Sequence, residues 1–375
     1  MVKVVITGGA GFVAAHLIKR LQEQCSDVVD EIHTIDRKPL AQSFNAGISV
    51  IYHAKDLSDD ILDNIFKDAS VVFHLARKQY EPLMGINYNE QYQRDNLQAT
   101  KNVVDTMIRQ KVGNIIYMGD AYANLPARDN FGNSEDVHSG EPSSYMLGVY
   151  GEARTKAELY VRNRIGQKYD DNNKLNGVCF RPTMIYGEGS RKLVNIVKEV
   201  AEANNGELVH VEGPSNGLMQ YIYVGNLIRY MEEAMRVLLS KPSDISGHFF
   251  YCMDKTEATR FNDMMFRLLE PSGIKFGTSY NVISLYLRTA LAQTKLRLFG
   301  IKPDTAMYNM GALRLFVMYA IGFSNRKQAL MFKTRPYITQ EEAMARTASW
   351  ITSKDFNNAT TTVPQKAEKP VFRRG

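Results

Sequence analysis

The chain has 375 residues, 44% of them apolar and 23% charged, with a formal net charge of +6; a globular protein of one large domain or two, with material for a sizeable core, fits that profile. Its basic residues stay scattered until the last third, which favours a solvated surface over nucleic-acid binding. Three widely spaced cysteines (Cys25, Cys179, Cys252) speak for a reducing compartment and against a disulfide framework or zinc site, and seven histidines without ligand spacing predict no metal.

The first apolar run starts at residue 2, which leaves no room for a signal or transit peptide, so a cytoplasmic location is expected. Val4 to Ile6 reads as a strand buried on both faces, and Thr7-Gly8-Gly9-Ala10-Gly11 then leads into an amphipathic run from His16 to Cys25. Strand, glycine turn and helix in succession build an anion site. Gly8 permits the tight turn, Gly11 lets the backbone approach a pyrophosphate, and the helix N-terminus supplies free N–H groups. No Gly-Lys-Ser/Thr follows, which disfavours a nucleotide-hydrolysing loop.

Further strands are predicted at Glu31–Asp36, Ile48–Tyr52, Ser70–Ala76 and Asn114–Met118, with helices at Asp60–Asp68 and Asn96–Gln110 between them. This alternation predicts an α/β fold, a Rossmann-type doubly wound parallel sheet with its ligand at the carboxyl ends of the strands. Asp36 closes the second strand where an acidic residue takes ribose hydroxyls, which favours NAD. Arg37 and Lys38 could instead face a 2′-phosphate, so NADP stays open, and Asp36 could simply start the turn at Pro39. Asp56-Leu57, past the third strand, is placed to meet the adenine ring or to cap a helix.

A long helix is expected over Tyr150–Gly166, a strand at Asn176–Phe180 and a loop over Arg181–Gly189. Helices follow at Leu193–Asn204 and Gly225–Leu239, with strands at Leu208–Val211, Tyr221–Val224 and His248–Met253. Gly213-Pro214-Ser215-Asn216-Gly217 has nucleophile-elbow spacing, but strand-like rather than helical sequence follows, so it reads as a hairpin turn. Asn281–Phe299 is a helical candidate with Val282, Leu285, Tyr286, Thr289, Ala292, Leu296 and Phe299 on one side and Arg288 and Lys295 on the other; it could lie on a membrane surface or pack on its own domain. It and the apolar stretch Leu315–Phe323 are too short to span a bilayer. From Lys354 the chain is polar and basic, the pattern of a disordered tail. The division expected is 1–190 for dinucleotide binding, 191–353 for a smaller α/β substrate portion, and 354–375 for the tail.

Tyr150 and Arg154, four residues apart, share a helix face. A cation beside a phenol stabilises its phenolate, which can then take a proton from an alcohol while a hydride leaves; a phenol alone, with pKa near 10, is a poor base at neutral pH.

These residues carry a resemblance to the extended short-chain dehydrogenases and, within them, to the 3β-hydroxysteroid dehydrogenase/Δ5-Δ4 isomerase family. It rests on Thr7–Phe12, Val72–Ala76, Asn96 with Thr100 and Asn102, Tyr150–Glu158, Arg181-Pro182, Ile185–Arg191, Tyr223–Asn226, Gly247–Tyr251 and Glu341–Trp350. The resemblance implies NAD(H) and oxidation of a 3β-hydroxyl on a sterol-like molecule. Cofactor contacts are implied from Gly8, Gly11, Phe12, Val13, Asp36, Asp56, Leu57, Leu75, Ala76, Tyr150 and Arg154, and catalysis from Tyr150, Arg154 and Asp120. Many relatives sit on the endoplasmic reticulum membrane, which makes 281–299 a candidate peripheral contact at its cytosolic face; a homodimer is a candidate assembly.

The sequence departs from the family at the chemical centre. Arg154 stands in place of the helix lysine, and Asp120 in place of a serine that holds the substrate oxygen. An ionised carboxylate accepts but cannot donate, and beside Tyr150 it opposes phenolate formation; an Asp120–Arg154 ion pair would offset this. Ala14 takes the third glycine position. Lys255 and Thr256 follow Asp254 where the steroid branch tends to have two acidic residues, which weakens the case for isomerase activity. Two other readings stand beside the dehydrogenase: a catalytically silent dinucleotide- or lipid-binding relative, and a reductase or epimerase acting on a nucleotide sugar.

Overall fold

The computed structural model describes residues 1–40, 44, 47–211, 216–332, 337–353 and 356. Apart from Phe356, the expected tail lies outside the described residues, as does most of the Gly213–Gly217 stretch.

Seven parallel strands form the central sheet: β1 (Lys3–Thr7), β2 (Glu31–Asp36), β3 (Ser49–Ala54), β4 (Val71–His74), β5 (Asn114–Met118), β6 (Asn176–Pro182) and β7 (Phe249–Cys252). Their order is β7-β6-β5-β4-β1-β2-β3. The continuous apolar runs are central strands covered by helices on both faces: Val4, Val5, Ile6, Val71, Val72, Phe73, Ile115 and Ile116 are fully buried. Each such side chain contributes about 1.5–3 kcal/mol by leaving water. Edge strand β3 instead alternates exposed and half-buried residues. From β1 the chain passes to β2 on one side and later to β4 on the other. The carboxyl ends of β1 and β4 are the topological switch point where doubly wound sheets bind ligands.

The helix Phe12–Gln24 begins directly after Gly11 and buries Val13, Ala14, Leu17, Ile18 and Leu21. Gly9 lets it come this close, since a Cβ there would stand 2.6 Å from Thr34 Cβ. The helix expected at Asn96–Gln110 starts earlier. A turn at Asn89–Tyr92 and a π-helical turn at Gln93–Gln98 run into Ala99–Arg109. The helix expected over Asp60–Asp68 shrinks to Asp63–Phe66, and a side-chain-bonded turn precedes it: Asp60 accepts from the Asp56 N–H at 2.6 Å, and Asp56 accepts from Ser58 N–H at 3.0 Å.

Beyond residue 190, helices Arg191–Glu202, Val224–Ser240, Phe261–Leu269, Val282–Phe299 and Gln340–Ile351 alternate with short strand pairs. One pair, Met184–Tyr186 with Tyr221–Tyr223, lies within and after the stretch expected to be loop. Leu315–Phe323 divides into part of a π-helical turn, Arg314–Met318, and the strand Ile321–Phe323. The expected boundary at 190/191 divides the chain but not the sheet. Strand β7 pairs with β6, and the helix Val224–Ser240 ties back to Phe12–Gln24 through Arg20–Glu232 at 2.6 Å.

The helix Val282–Phe299 turns inward the face expected of it, with Val282, Tyr286, Ala292 and Leu296 half-buried, except at its last residue. Leu285 and Thr289 are its buried residues, while Phe299 is exposed. The side turned to solvent carries Ile283, Leu287, Leu291 and Leu298, each more than half exposed, as well as Arg288 and Lys295. Among the described residues, no helix is long and apolar enough to cross a membrane.

Candidate active site

A cavity of about 360 Å³ opens at the switch point. One end is bordered by Gly8, Gly11, Phe12, Val13, Asp36, Asp56, Leu57, Leu75 and Ala76, and the other by Asp120 and Tyr150. Of the site residues expected from sequence, Arg154 alone is absent from the lining.

The glycine end is shaped by backbone. Gly8 has φ +75°, and a Cβ on it would lie 2.8 Å from Ala76 Cα, so no larger residue fits between β1 and β4 there. Gly8 and Gly9 N–H both donate to Ile35 O, which folds the loop over β2. The N–H groups in the first turn of Phe12–Gln24 have no intrahelical partners and carry the positive end of the helix dipole. Asp36 Oδ2 accepts from Ala10 N–H at 3.1 Å and Oδ1 from Lys38 N–H at 2.9 Å, so its carboxylate is fixed at the lip.

Arg37 is held by Asp95, with contacts of 2.7 and 3.2 Å, and lies 3.4 Å from Asp56. The Asp56 carboxylate serves the turn: Oδ1 accepts from Ser58 Oγ at 2.6 Å, and Oδ2 from Arg94 at 2.5 Å. Burial pushes that carboxyl up, but the Ser58 hydrogen bonds and the two guanidinium groups outweigh it and hold it near 2. Asp56 thus caps a turn and borders the cavity at once.

The other end is built by side chains. The helix Gly148–Arg164 packs so tightly under the loop after β5 that a Cβ on Gly151 would meet Ala123 O at 2.6 Å. That approach brings the Tyr150 hydroxyl to Asp120, to which it donates at 2.5 Å; Asp120 Oδ1 accepts Tyr122 N–H at 2.9 Å. Burial, and then the Asp120 charge, push the Tyr150 phenol well above its usual range, against an opposing pull from Arg77 and Arg154. Rings of Tyr80 and Tyr92 flank it, each centred 5.3 Å away.

Arg154 turns behind the sheet. It donates to Met118 O and lies over the Tyr117 ring, and its Nε and Nη1 have no hydrogen-bond partner among the described residues. Among the described residues, Asp120 and Arg154 do not form the ion pair that could have neutralised both. Asp120 Oδ2 lies instead 3.8 Å from Arg77, a residue the sequence reading passed over because it belongs to no motif. Its only signal was its place directly after the strand end at Ala76. Beyond residue 180 the chain adds an apolar stretch of wall, Met184, Ile185, Leu193, Ile196, Leu315 and Phe316, with Arg191 and Lys192 beside it.

The glycine cradle, open helix terminus and lip carboxylate together fit a dinucleotide: a Cβ would fill the space the loop leaves, and the donor set suits a pyrophosphate and a ribose diol.

Residues 5–284 match the 3-beta hydroxysteroid dehydrogenase/isomerase family. The chain is 31% identical over 261 residues to the decarboxylating sterol-4-alpha-carboxylate 3-dehydrogenase of Candida albicans, covering 66% of this chain and 69% of that one. It is 23% identical over 358 residues to the 3 beta-hydroxysteroid dehydrogenase/Delta 5-->4-isomerase of Vaccinia virus (strain Ankara), covering 92% and 97%. Among solved structures it is similar in fold to DesIV, the dTDP-glucose 4,6-dehydratase of Streptomyces venezuelae with NAD and TYD bound. That match has a TM-score of 0.67 and 16% identity, covering 93% of this chain and 96% of that one.

Proposed function

Since the chain belongs to the 3-beta hydroxysteroid dehydrogenase/isomerase family, we propose that it oxidises a 3β-hydroxyl on a sterol-like substrate with NAD as hydride acceptor. The observation that carries this reading is the Tyr150–Asp120 hydrogen bond of 2.5 Å, set in the same cavity as the glycine loop. When bound, the nicotinamide would accept the hydride released from the carbinol carbon. Gly8, Gly11, Phe12 and Val13 would hold the pyrophosphate, Asp36 the ribose, and Leu57, Leu75 and Ala76 the remaining walls. Arg37 already faces Asp56 and Asp95, and Asp36 adds a third carboxylate nearby. That concentration of negative charge supports NAD over a 2′-phosphorylated cofactor.

The proton path is altered from a tyrosine–lysine pair. Burial and Asp120 disfavour a standing phenolate, so Tyr150 acts as a relay: its oxygen takes the substrate proton as its own proton passes to Asp120 Oδ2. Arg77 stands 3.8 Å from the Asp120 oxygen that receives this proton. Asp254 lies outside the cavity, where it accepts from Tyr223 N–H and Asn226 Nδ2, both at 2.8 Å. No isomerase role is therefore assigned to it. The apolar wall of Met184, Ile185, Leu193 and Ile196 favours a sterol over a nucleotide sugar.

The test incubates purified protein with NAD and 3β-hydroxysterols and follows NADH formation. Turnover that collapses in Asp120→Asn is expected. NAD binding without turnover on any 3β-hydroxysterol would instead support the catalytically silent relative, a reading that Arg154's position outside the cavity favours.

Membrane contact is proposed through the outer face of Val282–Phe299. Its exposed Ile283, Leu287, Leu291 and Leu298 are flanked by Arg288, Lys295 and Arg297, a pattern that fits the surface of an anionic bilayer, while Leu285 packs inward. Vesicles containing anionic lipid should sediment the protein, and Leu287→Asp with Leu291→Asp should release it.

A further inference from the structure

A second, smaller cavity of about 50 Å³ lies under the helix Val282–Phe299. Since about 10–15 Å³ is needed per water-sized group, it has room for a phosphate group but not for a sterol nucleus. Leu285 and Thr289, one turn apart on the buried side of the helix, face it, and Tyr308 lines it from the segment that follows. Two hydroxyls in this lining are left over. Tyr308 is 7% exposed and Thr289 2%, and among the described residues neither hydroxyl makes a hydrogen bond. The amide of Asn204, by contrast, is satisfied: it accepts from Tyr280 at 2.7 Å and donates to Glu207 O at 3.1 Å. Leaving buried hydroxyls unmet is costly, and a ligand that meets them recovers that cost. The segment that carries Tyr308 is pinned. Met84 N–H donates to Met307 O at 2.9 Å, Asn309 N–H donates to Pro82 O at 2.8 Å, and Met310 N–H donates to Gln293 Oε1 at 3.3 Å, which ties the segment to the helix. Among the described residues the lining holds no carboxylate. Its one charge is Arg288, an exposed side chain that makes no ion pair or hydrogen bond among them. Two fixed O–H donors and a guanidinium fork, with no negative charge beside them, suit an anion with several oxygens to offer.

The place and size of the cavity say which anion. Arg288 stands three residues before Leu291 and so beside it on the helix, on the side where Ile283, Leu287 and Leu291 are exposed. A ligand that leaves the cavity past Arg288 therefore meets an apolar surface, which calls for an amphiphile. The small volume requires its charged group to be terminal, since a further alcohol esterified to it has no space. We propose that the cavity is a head-group site in which Tyr308, Thr289 and Arg288 receive the phosphomonoester of an anionic membrane lipid, with its acyl chains against the exposed leucine face. This rests on the membrane contact proposed for that face, though the phosphate site can be tested without a bilayer. Three donor groups match the three free oxygens of a phosphomonoester, where a phosphodiester offers two.

The test is equilibrium binding to the full chain. The probes are phosphatidylcholine vesicles carrying phosphatidate or phosphatidylserine at matched surface charge, monomeric dioctanoyl phosphatidate, and inorganic phosphate. The wild type should hold phosphatidate vesicles at least roughly tenfold more tightly than phosphatidylserine vesicles, the scale of one charge-assisted hydrogen bond. Tyr308→Phe with Thr289→Val removes both hydroxyls at nearly constant shape. It should bring phosphatidate binding down to the phosphatidylserine level, with phosphatidylserine binding and NADH affinity within about twofold of wild type. A wild type that does not prefer phosphatidate in any form, or a preference that survives in the double variant, would overturn the proposal. Inorganic phosphate bound as tightly as dioctanoyl phosphatidate would assign the cavity to a free anion and overturn the lipid. If no vesicle is bound but dioctanoyl phosphatidate is, and the double variant abolishes that binding, the membrane contact fails and the head-group site stands.

Discussion

The two ends of the cavity are made of different material. At the dinucleotide end the shape comes from backbone: Gly8 at positive φ against Ala76, Gly9 against Thr34, and a helix that starts where the loop stops. At the reaction end it comes from charged and hydroxylated side chains drawn from separate elements, with Asp120 from the loop after β5, Tyr150 from the helix Gly148–Arg164 and Arg77 from the end of β4. A backbone-built site tolerates few residue types and keeps its shape without neighbours. A side-chain-built site keeps its shape only while each partner is present, and one exchange can alter its chemistry without disturbing the fold. Of the two positions where the sequence led us to expect a departure from the family, Asp120 borders the second end and Arg154 lies outside the cavity lining.

The largest effect should come from breaking the reaction end alone. In Asp120→Asn the final proton acceptor is lost and the amide can no longer hold the Tyr150 proton. Steady-state kinetics should show kcat lower by about 10²–10³-fold, the usual scale for a general base, with NADH affinity unchanged. A fall in cofactor affinity of similar size would mean that the two ends are not separable.

Gly8→Val tests the other end. The added side chain meets Ala76 Cα and N within 2.9 Å at φ +75°, and backbone cannot yield as a flexible side chain would. Fluorescence titration should show NADH affinity weaker by about 100-fold, the consequence of roughly 3 kcal/mol of misfit and strain. Circular dichroism should show the sheet intact.

The same contrast decides what could be read from the sequence. The loop Thr7–Gly11, strands β1, β2 and β5, and Asp36 were legible because each depends on neighbours within a few residues. Asp120 and Tyr150 were legible as a pair only through the resemblance, and their 2.5 Å contact arises from a helix packed tightly under the β5 loop at Gly151. Arg154 was misplaced for a simple reason. Helical spacing reports a shared face, but the arginine side chain is long enough to reach back to Met118 O behind the sheet. Arg77 has no periodicity or motif to announce it. The expected helix at Asp60–Asp68 is only Asp63–Phe66, because the turn before it, in which Asp60 accepts from Asp56 N–H and Asp56 from Ser58 N–H, has no periodicity to reveal it. Periodicity chose the inward face of Val282–Phe299 through Leu285 and Thr289, but it did not show that the opposite side exposes Ile283, Leu287, Leu291 and Leu298.

A third effect concerns the core at the end of β4, outside the cavity lining. His74 is fully buried at the end of β4, with Nδ1 2.6 Å from Thr7 Oγ1 and Nε2 2.9 Å from Thr100 Oγ1. Burial, and then the Arg154 charge, lower its pKa from 6.5 to about 3. The folded state therefore binds fewer protons than the unfolded state between those values. His74 leaves stability undiminished above the unfolded value of 6.5, and stability declines as pH falls toward 3. Denaturant unfolding at pH 6.5 and pH 5 should show about 2 kcal/mol lost from this group. In His74→Gln that component of the slope should vanish; an unchanged slope would assign the acid sensitivity elsewhere.

The smallest effect is expected at Arg154. Its guanidinium lies behind β5, bonded to Met118 O, and is absent from the cavity wall. If it acts on the reaction end only through its charge, Arg154→Lys should leave NADH affinity within threefold and change kcat by less than about tenfold, because a lysine there keeps the positive charge below Tyr150. Arg154→Met removes the charge that opposes the upward push on the Tyr150 phenol, and should lower kcat further without touching cofactor affinity. A large loss of NADH affinity in either variant would place Arg154 against the ribose in the bound state, and the boundary between the two ends would then move to include it.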